Sequence, residues 1–225
     1  MGIDNSIEVA ISNILKNPIL TVLREINISK ILKKSNFIKR EVGHAPFQIL
    51  LHFVYMLVMN KRQSAFVKQS VDAYGKDTYY RFVQNVRYNW RKLLLFSAFA
   101  LIQKIQPLQK KSDYRVLIID DTVEVKRGKQ IEGSCKSIYS NKEHRWVNGI
   151  NVVNLAYADE HSTFQLDFSL RINNSHRVNI SDFTKTIHHK SNGYKRRIEG
   201  VNGKNEIALD MVGRALNPNY AITKS

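Results

Sequence analysis

The stretch Val116-Leu117-Ile118-Ile119-Asp120-Asp121-Thr122 sets the tightest limit on what this chain can become. Four apolar residues, three of them β-branched, run without alternation into two carboxylates. Such a run suits a central strand covered on both faces. At its carboxyl end the chain leaves the sheet, which is where open α/β sheets place their ligands. Two acids at that point, in a chain with 35 Lys and Arg against 19 Asp and Glu, point to a metal site that works on a phosphate backbone. The plain alternative is a strand ending in a turn, since Asp-Asp-Thr is also good turn and capping chemistry.

The charge is unevenly spread. Residues 1–112 hold 18 Lys and Arg against 6 Asp and Glu, a net of +12, and residues 113–225 hold 17 against 13, a net of +4. A basic first half joined to a nearly balanced second half reads as a polyanion-binding module attached to something else. Length and 43% apolar content allow a real core. The single cysteine, Cys135, excludes an internal disulfide framework and a Cys cluster for zinc, and it suits a reducing, cytoplasmic setting. The apolar stretches Ile49–Met59 and Leu93–Ile102 are too short to span a bilayer and read as buried helices. No signal peptide is expected, since no basic region precedes an apolar stretch at the start. Met1-Gly2-Ile3-Asp4-Asn5-Ser6 fits the short myristoylation pattern, with nothing else to support an anchor, so no membrane partner is expected.

Along the chain, residues 1–36 read as two amphipathic helices parted at Pro18, and Pro46 suits the first position of a helix over Phe47–Asn60. Residues 61–90 have the outline of a helix-turn-helix. A helix over Ser64–Val71 is followed by a Gly-containing turn, then by a helix from Thr78 capped by Asp77. The second helix carries Thr78, Tyr79, Tyr80, Arg81, Gln84 and Arg87, donors for phosphates or base edges. Trp90-Arg91-Lys92 opens a long helix, and the polar run after Pro107 sets a domain boundary, giving a helical DNA-binding region over 1–110 and a second domain over 113–225.

In that second domain, strand Val116–Asp120 is followed by a charged turn, and residues 133–146 read as loop. Asn148–Ala158 and Thr163–Ile172 read as a hairpin, the latter with Phe164, Leu166, Phe168, Leu170 and Ile172 on one face. Residues 173–203 are polar and basic, a flexible or phosphate-binding segment with Lys195, Arg196 and Arg197; the adjacent His188 and His189 should point apart. A helix over Lys204–Leu216 ends at Pro218, and Tyr220–Thr223 begins a further strand.

Three strands in meander order, then a helix, then a strand, is the opening of an RNase H-like fold. The expected class is therefore α+β, an all-α DNA-binding region followed by the first half of an RNase H-like mixed sheet. Ile118-Ile119-Asp120-Asp121-Thr122 with Lys126-Arg127-Gly128-Lys129 resembles the first catalytic segment of bacterial insertion-sequence transposases of the DDE superfamily. Lys76-Asp77-Thr78-Tyr79-Tyr80-Arg81-Phe82 and Tyr88-Asn89-Trp90-Arg91 resemble the family's DNA-binding portion, and Asn148–Asn151 and Phe164–Phe168 its second and third strands. The resemblance implies strand cleavage and joining at insertion-sequence ends, with Mg²⁺ or Mn²⁺ held by carboxylates. It implies Asp120 as the first catalytic acid and metal ligand, Asp121 as fallback, and duplex DNA of the element's terminal repeats as partner. Further partners would be a second copy or a full-length transposase, in the bacterial cytoplasm at the nucleoid. DNA contacts fall to Lys76, Thr78, Tyr79, Arg81, Arg87, Arg91, Lys92, Lys126, Arg127, Lys195, Arg196 and Arg197.

One departure stands out: Lys224 occupies the place of the family's second acid, and the sequence stops before a third. The expectation is an N-terminal fragment that is inactive alone. Binding without cleavage, as an inhibitor of transposition, is the alternative. Residues 113–225 expressed alone are expected to be poorly soluble, because half a sheet leaves an edge uncovered.

Overall fold

The computed structural model describes residues 18–38, 43–71, 73–110, 114–128, 131–172 and 187–217, and the chain divides into two units, Met1–Tyr88 and Asn89–Ser225. The first is helical, with α1 (Pro18–Glu25), α2 (Ile28–Lys34), α3 (Pro46–Val58), α4 (Gln63–Gln69) and α5 (Lys76–Val83). Pro46 occupies the first turn of α3, where a missing N–H costs nothing. Asp77 is not the cap of α5. Gly75 holds that position and Asp77 sits in the first turn, where its charge still favours the helix N-terminus.

The core of this unit is aromatic. Phe37 stacks on Tyr88 with ring centroids 4.3 Å apart, and Phe82 meets both rings. Tyr79 is 0% exposed. Its hydroxyl accepts the Tyr74 N–H at 3.1 Å and lies 2.7 Å from His52 Nδ1, so the phenol proton is free to bond the imidazole.

In the second unit α6 (Trp90–Ile105) leads through a short 3₁₀ turn into β1 (Arg115–Val125), β2 (Cys135–Ser140), β3 (Arg145–Asp159) and β4 (Thr163–Arg171). Helices α7 (Asn192–Glu199) and α8 (Lys204–Leu216) follow. The boundary therefore precedes α6 rather than following it. Leu95 and Ala98 of α6 pack with Val153, Leu155, Leu166, Ile207, Met211 and Ala215, which binds this helix to the sheet.

β3 is the central strand, pairing antiparallel with β1, β2 and β4. Its odd-numbered residues from Val147 to Leu155 are buried while the even-numbered ones are open or half-buried. One face therefore carries the helices and the other does not. Gly149 allows β1 and β3 to close up, for a Cβ there would lie 2.6 Å from the Glu124 carbonyl oxygen.

Several expectations are corrected. β1 is not covered on both faces, and it does not leave the sheet at Asp120 and Asp121 but runs on, paired with β3, to Val125. Helices α6 and α8 lie over β3 and β4, β1 ends the strand order among the described residues, and Val116, Leu117, Ile118 and Ile119 all remain exposed. Residues 135–140, read as loop, form β2, whose register breaks between Cys135 and Ile138. β4 does not alternate throughout: a bulge opposite Leu155 and Ala156 adds one residue and reverses the faces. Phe164 and Leu166 face the helices, but beyond the bulge Asp167 and Ser169 do, leaving Leu170 exposed. His188 and His189 stack at 4.6 Å instead of pointing apart. Within the polar segment 173–203, residues 192–199 form α7, and Gly200 at its end packs where a Cβ would sit 2.5 Å from the Leu170 oxygen. The strand expected at Tyr220–Thr223, and Lys224, lie outside the described residues.

Tyr79→Phe should lower the unfolding free energy by about 1–3 kcal/mol in a denaturant titration, because it removes a core hydroxyl that accepts the Tyr74 N–H and bonds His52 Nδ1.

Candidate functional site

The bulge in β4 has a chemical result. It turns Asp167, 2% exposed, into the helix-covered face, and two guanidiniums meet it there. Arg91 of α6 donates to it through Nε at 2.7 Å and Nη2 at 3.1 Å, and Arg214 of α8 through Nε at 2.8 Å. Both arginines also reach Glu199 of α7, Arg91 Nη1 at 2.6 Å and Arg214 at 3.3 Å. Burial opposes charge on both central partners, pushing the Asp167 carboxyl up against the pull of Arg91. Arg91 is itself held above its ordinary value, despite burial, by Asp167 and Glu199. The forked, bidentate geometry keeps the pair ionised.

The two acids of β1 separate by face. Asp121 pairs across to Val153, on the helix side, and Asp120 to Asn154, on the open side. Asp121 Oδ2 accepts from Lys204 Nζ of α8 at 2.7 Å and from Asn151 Nδ2 at 3.2 Å. Partial burial works against its charge, but Lys204 and Asn151 outweigh that and hold the carboxyl below the ordinary aspartate value. Asp120 is exposed, and its Oδ1 accepts a local bond from the Asp121 N–H at 2.8 Å. Among the described residues no three His, Cys, Asp or Glu side chains gather closely enough to hold a metal ion. One open carboxylate does not make a two-metal site, so the described residues do not by themselves fit Mg²⁺ or Mn²⁺.

The basic candidates fall into distinct places. Lys76, Arg81 and Arg87 are exposed and Thr78 is half-buried, on α5 and just beyond it. Two candidates have no surface to offer. Tyr79 is core, and Arg91 is committed to Asp167 and Glu199. Lys92 lies with its Nζ 5.3 Å from the Phe96 ring centre. Lys126 and Arg127 follow β1 directly, away from the α7 arginines in sequence. Arg197 forks onto Glu132. Arg196, beside it, lines a cavity of about 220 Å³ together with Arg91, Arg197 and Ser169. Burial and the neighbouring Arg91 and Arg197 pull its guanidinium down to about 10. Lys195 is half-buried on the same helix.

Sequence reasoning passed over Asp167, Glu199 and Arg214. One signal was available: an acid in the middle of an apolar strand, Leu166-Asp167-Phe168, must either be exposed or meet a cation.

Among the described residues, no helix is long and apolar enough to cross a membrane. The family model described as DDE superfamily endonuclease matches residues 49–221. No curated protein and no solved structure matches the chain.

Asp167→Asn should destabilise the second unit by about 3–5 kcal/mol in denaturant unfolding, because it leaves the buried Arg91 guanidinium and the half-buried Arg214 one facing a neutral amide. The double change Arg91→Met with Asp167→Leu should cost less than the single one. Lys204→Met should raise the Asp121 pKa towards the ordinary aspartate value of about 3.9, read by carboxyl carbon NMR titration. The sign follows from linkage. A depressed folded pKa gives stability that is present above the unfolded value and is lost as pH falls through the folded one, so the variant should lose part of its acid-side slope.

Proposed function

The chain belongs to the DDE superfamily of endonucleases, and on that premise we propose that it works on DNA as an insertion-sequence transposase. It holds duplex DNA of the element's terminal repeats through its basic surface, and Asp120 serves as the first acid of a site for strand cleavage and joining. The observation that carries this reading is the family match together with Asp120, an open carboxylate midway along the first strand, on the face that the helices leave free.

Divalent metal ions supply this family's chemistry. The described residues contribute one open acid to it, and the geometry supports no metal-dependent step from them alone. The chain's own part is therefore recognition and positioning. Lys76 and Arg81 on the outer side of α5, with Arg87 beyond it, are placed to meet phosphates, and Tyr80, 45% exposed, lies among them with the Lys76 Nζ 5.4 Å from its ring centre. Cleavage draws on acids beyond those described, from this chain or from a partner copy.

A second reading is a DNA-binding protein that occupies element ends without cutting them and so inhibits transposition. Asp121 favours it, since Lys204 already satisfies the carboxylate beside the open one.

Duplex binding should fall steeply with salt. The combined Lys76→Gln, Arg81→Gln and Arg87→Gln variant should flatten the slope of log K against log salt by about 0.9 for each phosphate it no longer neutralises, measured by fluorescence anisotropy on a labelled duplex. The chain alone should bind DNA and leave it uncut in Mg²⁺. Nicking that Asp120→Ala abolishes would show a complete site and remove the inhibitor reading. An unchanged salt slope in the triple variant would remove α5 as the duplex-binding surface.

A further inference from the structure

At the far end of the sheet from Asp120, the open face carries an aromatic pair that no packing explains. Trp146 of β3 is 69% exposed and Tyr139 of β2 is 45% exposed. They are direct cross-strand partners, with ring centroids 5.6 Å apart and planes at 71°. Large rings so exposed add little to the core, and a fold gains nothing by presenting them to water.

Their surroundings are cationic. Trp146 borders a cleft of about 510 Å³ lined also by Lys126, Arg127, Arg145, Ser137 and Asn148. Lys126 and Arg145 each lean on an acid, Glu124 at 3.1 Å and Glu143 at 2.5 Å, but these pairs are open to solvent and weak. Arg127 is exposed on the same cleft. The backbone is bent to make room. Ser137, on the cleft wall, has φ of 53°, where β2 loses register with β3 between Cys135 and Ile138. Bulges and left-handed residues of this kind collect at sites that aim side chains.

Exposed ring faces among phosphate-seeking cations match one kind of ligand, a nucleic-acid strand whose bases are unstacked. A duplex would offer this cleft its phosphates and leave the rings idle. We propose that the β2–β3 end of the open face binds a single DNA strand, with Trp146 and Tyr139 as the stacking platform and Lys126, Arg127 and Arg145 on the phosphates. The assignment rests on the DNA-processing reading and deepens it. Even-numbered β3 residues share the face of Trp146, so the platform and Asp120, which pairs with Asn154, lie on one surface. The separation is about 26 Å at roughly 3.3 Å per strand residue. A strand freed from its complement could run from one to the other.

The test uses the full chain and fluorescence anisotropy with a dye-labelled thymidine strand, its RNA counterpart and a hairpin duplex. Trp146→Ala should weaken strand binding about tenfold. Trp146→Phe should stay within about twofold of the parent, because a phenyl face still stacks, and duplex affinity should be unchanged in both. The Lys126→Gln and Arg127→Gln pair should flatten the strand's salt slope by about 0.7 for each phosphate left without its cation. Equal loss for strand and duplex in Trp146→Ala, or no loss for the strand, would overturn the platform while leaving the duplex-binding reading intact. Tighter binding of the RNA strand would overturn the DNA assignment. A chain that binds neither strand nor duplex would overturn both readings. Circular dichroism melts should show the Trp146 variants folded, as expected for so exposed a residue.

Discussion

A carboxylate with almost no access to water organises the second unit. Asp167 is 2% exposed and takes guanidiniums from α6 and α8, and both of these also bind Glu199 of α7. Three helices and the strand beneath them are thus tied to one charge. A hydrophobic layer alone would tolerate some sliding of helices on a sheet. A buried fork does not, because any displacement strands an ion in a medium where it is poorly solvated. The apolar part of the same face, around Leu155, Ile207 and Met211, is fully buried and supplies the bulk of the favourable burial. The ionic part fixes where that layer sits.

The same arrangement separates structural charge from available charge. Arg91, Arg214, Asp167 and Glu199 pair among themselves and neutralise one another. Asp120, Lys126 and Arg127 belong to β1 or follow it, and they are open or half-open. Lys204 marks the boundary, since it leaves the first turn of α8 to hold Asp121 on the covered side. A chain with net charge +16 could have kept all its acids paired. Asp120 and Asp121 are both exposed, but Asp121 is held by Lys204 and Asn151 whereas Asp120 accepts only the local bond from the Asp121 N–H, and that difference gives the middle of β1 its chemical character.

Much of this was legible in the residues. The strands β3 and β4 and the start of β1 follow from apolar runs and turn signals, although β1 runs past its expected end at Asp120 to Val125, and Pro46 marked its helix start. Strand alternation alone separated Asp120 from Asp121. The rest failed for physical reasons that can be named. β2 is short, polar and broken in register, so it offers no period-2 signal. In β4 one extra residue swaps Phe168 and Leu170 for Asp167 and Ser169 on the helix face, and a bulge is a property of pairing, which one strand's sequence does not display. Tyr79 and Arg91 looked like DNA donors because residue type cannot distinguish a buried, satisfied phenol or guanidinium from an exposed one. Helix α6 looked like part of the first unit because its attachment to the sheet passes through residues far along the chain.

The β1–β3 ladder has a consequence for how the chain reaches this structure. β3 and β4 are joined by a tight turn and can pair as soon as both exist, whereas β1 must wait for a partner beyond the whole of residues 126–144. Closing that loop carries an entropic toll before any pairing rewards it, and such non-local pairings are slow. During synthesis β1 is therefore made first and zipped late. Through that interval its Val-Leu-Ile-Ile segment is an unpaired, strongly β-prone strand. The acids Asp120 and Asp121 directly behind it then act as gatekeepers, keeping a sticky segment from finding another copy of itself.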